Sequence, residues 1–107
     1  MPGFVFRLLP PRTTFRVDMT PIEREVMGEH AAYWRELAAK GQVLAFGPVD
    51  DPVEPYGIGI VVVDDLAEAE ALRDGDPALR SGRGFRTEIA PMAVLVTPDA
   101  VHAAAPD

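Results

Sequence analysis

Apolar residues along the chain fall into runs whose spacing switches between that of strands and that of helices. Phe4 to Leu9 is a β-rich apolar run closed by Pro10-Pro11, which lack backbone donors and force an extended exit, so it reads as a first strand. Residues 10–19 follow as an expected loop, because Arg12, Phe15 and Arg16 are too mixed in character for a regular element. Thr20-Pro21-Ile22-Glu23 then matches a capping box with proline at the tolerated first helical position. Beyond it Ile22, Val26, His30, Tyr33 and Leu37 recur at steps of three and four residues and draw one stripe along a helix that Gly41 can end.

The second half repeats the scheme. Val43 to Phe46 predicts a short strand ended by Gly47-Pro48, the turn-rich acidic segment 49–55 follows, and Tyr56 to Val63 predicts a third strand. Asp64-Asp65 with Glu68 forms an acidic cap, after which Leu66, Ala69 and Leu72 mark a second helix that runs to Gly75 and is broken at Asp76-Pro77. Ser81 to Gly84 reads as a flexible link. Phe85 to Val96 alternates like a strand but is interrupted at Pro91, which predicts two short pieces.

The order β-α-β-β-α-β is the ferredoxin-like arrangement of the α+β class: a four-stranded antiparallel sheet carrying both helices on one face. Residues 1–97 are expected to form this one domain and residues 98–107 a loosely held C-terminal tail. The first strand is apolar on both sides, with Phe4, Phe6 and Leu8 on one and Val5 and Leu9 on the other, and the third strand likewise. A lone copy leaves the second sheet face wet, so a homodimer that packs sheet on sheet is expected, the alternative being that the tail covers the face.

Charge and composition narrow the partners. Ten basic against seventeen acidic residues give a net charge of −7, which repels nucleic acid and anionic lipid surfaces. No cysteine is present, which removes disulfides and thiolate chemistry. The apolar run from Ile58 to Val63 is far shorter than the roughly 20 residues a membrane span needs, and the first residues lack the pattern of a secretory signal. A cytoplasmic protein is expected.

The candidate chemistry centres on His30. An imidazole on an apolar stripe needs hydrogen-bond partners, and Asp76, at the end of the second helix, is the carboxylate that two helices packed on one sheet bring near it. Such a pair fixes the tautomer and suits a general base or acid near neutral pH; it serves equally well as a structural tether. Tyr33 and Trp34, with Phe15 and Phe46, are candidates to line an aromatic substrate pocket, and Arg12 and Arg16 to hold a carboxylate or phenolate. The Gly57-Ile58-Gly59 and Gly82-Arg83-Gly84 motifs lack the context of a phosphate loop and are expected to serve backbone freedom. The two histidines, His30 and His102, are too far apart in sequence to suggest a metal site, so neither metal nor cofactor is assigned.

Asp18-Met19-Thr20, His30 with Tyr33-Trp34 and Leu37, Gly41, Phe46-Gly47-Pro48-Val49, Tyr56-Gly57 and Gly75-Asp76-Pro77 together resemble the YCII-related proteins over residues 4–92. The resemblance implies a dimeric α+β barrel and a His and an Asp in a cleft, which fall on His30 and Asp76. It also implies kinship with a dehydrochlorinase of chlorinated-aromatic breakdown and, by fold, with lactone isomerases and monooxygenases. The implied functions are a small cofactor-free lyase or isomerase acting on an aromatic or carbonyl compound, or a non-catalytic ligand-binding or accessory dimer. The segment holding Arg12 and Phe15 is longer than in the shortest members, which implies a different pocket entrance.

Overall fold

Alternation along the first strand decides how the layers stack. In the computed structural model, which describes residues 2–99, the elements run β1 (Gly3–Leu9), α1 (Phe15–Asp18), α2 (Pro21–Ala39), β2 (Val43–Val49), β3 (Tyr56–Val62), α3 (Leu66–Asp74), α4 (Pro77–Arg80) and β4 (Arg86–Pro91). Successive strand residues face opposite ways, so Phe4 and Phe6 of β1 point together into a core with Trp34 and Leu37 of α2, Ala69 of α3 and Val61 of β3. The strands pair antiparallel in the order β2-β3-β1-β4, with α2 and α3 on one face. This is the ferredoxin-like architecture expected, with two one-turn helices added.

The helix termini behave as their sequences dictate. Glu23 N–H donates to the Thr20 hydroxyl at 3.2 Å while the Thr20 N–H donates to the Glu23 carboxylate at 2.8 Å, completing the capping box. Gly41, at φ +81°, closes α2: its N–H reaches Ala38 O and that of Gln42 reaches Leu37 O. Asp65 caps α3 by accepting from Glu68 N–H.

Five local expectations need correction. Residues 10–19 are not wholly irregular, since α1 buries Phe15 against Phe85 with ring centroids 5.2 Å apart. Strand β2 runs through Gly47-Pro48 to Val49, because an edge strand has an unpaired side where a missing N–H breaks no ladder bond. The Asp76-Pro77 break does end α3, yet it also begins α4. The last strand is a single piece, Arg86–Pro91; past it Met92 donates one bond to Gly3 O, and Leu95 lies against Gly3. Ile22 of the expected helix stripe is half exposed, whereas Trp34, outside that stripe, is buried in the core. The expected tail lies outside the described residues from position 100 on, as does His102.

A guanidinium ties the α1 segment to α2. Arg12 donates from Nη1 and Nη2 to the two Glu23 oxygens at 2.8 Å each, and from Nε to Asp18 Oδ1 at 2.8 Å. With the Thr20 N–H added, this fork lowers the Glu23 carboxyl from its ordinary 4.5 to about 2. Hydrogen bonds from the Thr14 hydroxyl and then from Arg12 hold Asp18 low in the same way. A depressed carboxyl contributes stability that is present in full above its unfolded pKa and is lost as pH falls through the folded one. Urea unfolding of Glu23→Gln is therefore expected to show a variant less stable than wild type by a constant amount above pH 5, with the gap closing as pH falls from 4.5 towards 2. A gap independent of pH would show that the ionised state of Glu23 contributes nothing to the fork.

Candidate active site

Each side chain of the site is placed by an element just described. His30 and Trp34 are one helical turn apart on α2, so both rings leave the same face. The short link Gly75-Asp76 between α3 and α4 brings a carboxylate beneath them. Asp76 is the N-cap of α4 and accepts the Ala78 N–H at 2.9 Å. The same carboxylate lies 2.9 and 2.8 Å from His30 Nδ1 and accepts the Trp34 indole N–H at 2.8 Å. Its side chain is 3% exposed and that of His30 17%.

An ionised carboxylate accepts and cannot donate, so whenever the ring is neutral Nδ1 carries its proton and Nε2 presents a lone pair. Every buried side-chain nitrogen or oxygen among the described residues has a partner, and Nε2 has none among them, so Nε2 is not sealed in the core. The imidazole thus needs one partner rather than the two its sequence position suggests, because its other edge is open.

His30 lines a cavity of about 350 Å³ between α2 and the β2-β3 side of the sheet. Its walls are Phe6, Phe15, Trp34, Phe46 and Phe85 with Met19 and Met27, and His30 and Arg16 are its ionisable nitrogen groups. Trp34 forms a long wall, edge-on to Phe6 at 5.5 Å and tilted against Phe46 at 5.9 Å. Phe15, Val26, Ala78 and Phe85 make a second apolar cluster, and its Phe15 and Phe85 line this opening.

Of the residues singled out from sequence, His30, Phe15, Trp34, Phe46 and Arg16 meet at this cavity. Asp76 stands behind it, against His30 and Trp34. Arg12 and Tyr33 do not reach it. Each nitrogen of Arg12 is engaged by Glu23 or Asp18, including Nη2 to Asp18 O at 3.0 Å. Tyr33 donates to Leu72 O at 2.7 Å, and burial, followed by the charge of Asp76, raises its phenol above the ordinary value.

Two residues escaped the sequence reading. Sequence alone marks Trp34 as pocket lining, although an indole N–H four residues after a histidine already offers a second donor to one carboxylate. Gly59 was expected to supply backbone freedom, but its φ is not in the left-handed region. Its role is close approach: a Cβ there would lie 2.3 Å from Trp34 Cζ3 and 2.7 Å from Cη2, so the ring rests on bare backbone.

A ferredoxin-like domain with a carboxylate-held histidine at an aromatic cavity defines the class. The sequence profile of the YCII-related domain matches residues 12–93, and the chain belongs to that family. Among solved structures it is similar to 5-chloro-2-hydroxyhydroquinone dehydrochlorinase from Burkholderia phenoliruptrix AC1100 in complex with 2,5-dihydroxybenzoquinone. The two share 19% identity over 84% of this chain and 91% of that one, with a TM-score of 0.58, a likeness of fold. Comparison with curated proteins finds no match.

Adding the methyl group at Gly59 should push Trp34 off the sheet and strain its bond to Asp76. Gly59→Ala is expected to cost about 1–3 kcal/mol, the usual range for overpacking, and to shift the emission of Trp34, the chain's single tryptophan. Unchanged stability and emission would show that the ring does not depend on that contact.

Proposed function

We propose that the chain is a small enzyme of the lyase or isomerase type that moves a proton on a small, flat aromatic or carbonyl compound seated in the cavity. His30 Nε2 removes a proton from a carbon next to an electron-withdrawing group. In a lyase step the released electron pair expels a leaving group; in an isomerase step the proton returns to another carbon. Asp76 is a positioning residue that holds the tautomer and stabilises the imidazolium once formed. Such chemistry draws on no cofactor.

The observation that carries the reading is the division of labour between the ring nitrogens of a histidine that lines the cavity, Nδ1 bonded to a buried carboxylate and Nε2 without a partner among the described residues. A volume of about 350 Å³ suits a small ligand. A dehydrochlorinase of the same fold, solved with a ring compound bound, supports a reaction of this kind.

A second reading, a non-catalytic binding or accessory module, is favoured by one feature: Asp76 also caps α4 and holds Trp34, so its bond to His30 can be a tether. A thermal-shift and turnover screen of small aromatic acids, phenols and lactones separates the two. The enzyme reading expects stabilising compounds to include one that wild type converts and His30→Gln binds but converts at least about a hundredfold more slowly. Compounds that stabilise both proteins alike, with no conversion by wild type, would establish the binding module instead.

We further infer that two copies pack through the sheet face opposite the helices. The register puts Val5, Ile58, Ile60 and Val62 together there, all only half buried in a single copy, and an aliphatic patch of that kind calls for a cover. Sedimentation at micromolar concentration is expected to give a mass near twice 11.6 kDa; a monomer would contradict the pairing.

A further inference from the structure

Two arginines flank the candidate site, and their hydrogen bonding separates them. The nitrogens of Arg12 are all committed to Glu23 and Asp18. Arg16 is on the cavity wall, and its one partner among the described residues is Asp50, held through Nη1 alone. The Asp50 side chain is 88% exposed and that of Arg16 45%. An ion pair this wet is worth little and is easily exchanged for another anion. Nε and Nη2 of Arg16, two donors in a planar fork, are left for a ligand.

Among the described residues no carboxylate lines the cavity wall, and the counter-ion of Arg16 is the exposed Asp50 outside it. Asp76, the nearest buried carboxylate, stands behind His30 and Trp34 with its oxygens bonded to them and to Ala78 N–H. The remaining lining is mainly apolar, a poor solvent for ions, so an anion seated there and paired with the guanidinium is attracted more strongly than it would be in water. A chain of net charge −7 thus carries a small opening whose one fixed charge is positive.

We propose that Arg16 selects the substrate: the occupant is a small planar ring compound bearing an anionic oxygen, a carboxylate or an ionised phenol or enol, which pairs with Arg16 while its ring lies against Trp34 and Phe46. The proposal rests on the cavity being the binding site of the reading above and names the class of molecule it takes. Asp50 holds the guanidinium at the mouth until the ligand displaces it.

Trp34 is the chain's single tryptophan and lines the cavity, so quenching of its emission reports occupancy directly. The probes are benzoate, 4-nitrophenol at a pH where it is ionised, and neutral benzamide. Wild type is expected to bind the two anions at least tenfold more tightly than benzamide. Arg16→Gln should abolish that preference while leaving benzamide binding unchanged, and Asp50→Asn, which frees the guanidinium, should strengthen anion binding. Benzamide binding as tightly as the anions, or a preference that survives Arg16→Gln, would overturn the proposal while the cavity stands as a site. No quenching by any probe would overturn the proposal and the binding site together. His30→Gln should retain the anion preference, so a catalytic failure and a recognition failure are read separately; loss of the preference in that variant would assign selection to His30 and sink the proposal.

Discussion

The buried carboxylate of Asp76 is the constraint on which the rest of the site depends. Taking a charge out of water costs several kcal/mol unless hydrogen bonds replace the lost hydration, and here three donors do so: His30 Nδ1, the Trp34 indole and the Ala78 backbone N–H. One group thereby joins the middle of α2, the end of α3 and the start of α4. It also sets the imidazole tautomer and fixes the plane of the aromatic wall, so structural and chemical requirements meet in the same two oxygens. Removing the carboxylate would leave these three N–H donors without their acceptor, which is why tether and orienter are difficult to tell apart by stability alone.

Around that anchor the fold divides its apolar surface into a sealed part and an open part. Phe4, Phe6, Leu37, Val61 and Ala69 fill the space between the long helices and the sheet. The one-turn helices α1 and α4 add Phe15 and Ala78 to a smaller cluster with Val26 and Phe85 at one end, and the opening between the two clusters is the cavity. The loop after β1 is thus part of the site. Its Arg12 fastens it to α2 through Glu23, and its Arg16 remains available at the mouth.

The sequence made the architecture legible because its signals are local and redundant: the capping box at Thr20, the acidic cap at Asp65, Gly41 after the long helix, and period-two strands between them. It failed where a local rule has two outcomes. Asp76-Pro77 is a helix breaker read forwards and a helix start read from the far side, and the structure uses both. Gly47-Pro48 reads as a strand end until β2 is known to be an edge strand. The meeting of His30 and Asp76 followed from helix packing plus the need to satisfy an imidazole. That Trp34 shares the carboxylate, and that Gly59 makes room for its ring, are contacts between elements distant in sequence. Which arginine is spent and which is available likewise depended on Glu23 and Asp50, which no spacing links to a cavity.

The tautomer of His30 tests the central claim most directly. NMR of the ring nitrogens, at a pH where the imidazole is neutral and with His30→Gln to assign the signals, is expected to show the proton on Nδ1, an unprotonated Nε2, and a change in the Trp34 indole N–H signal when Asp76 is replaced by asparagine. A neutral ring protonated on Nε2 instead, with no response of the indole to Asp76→Asn, would contradict the arrangement and leave the cavity without a base.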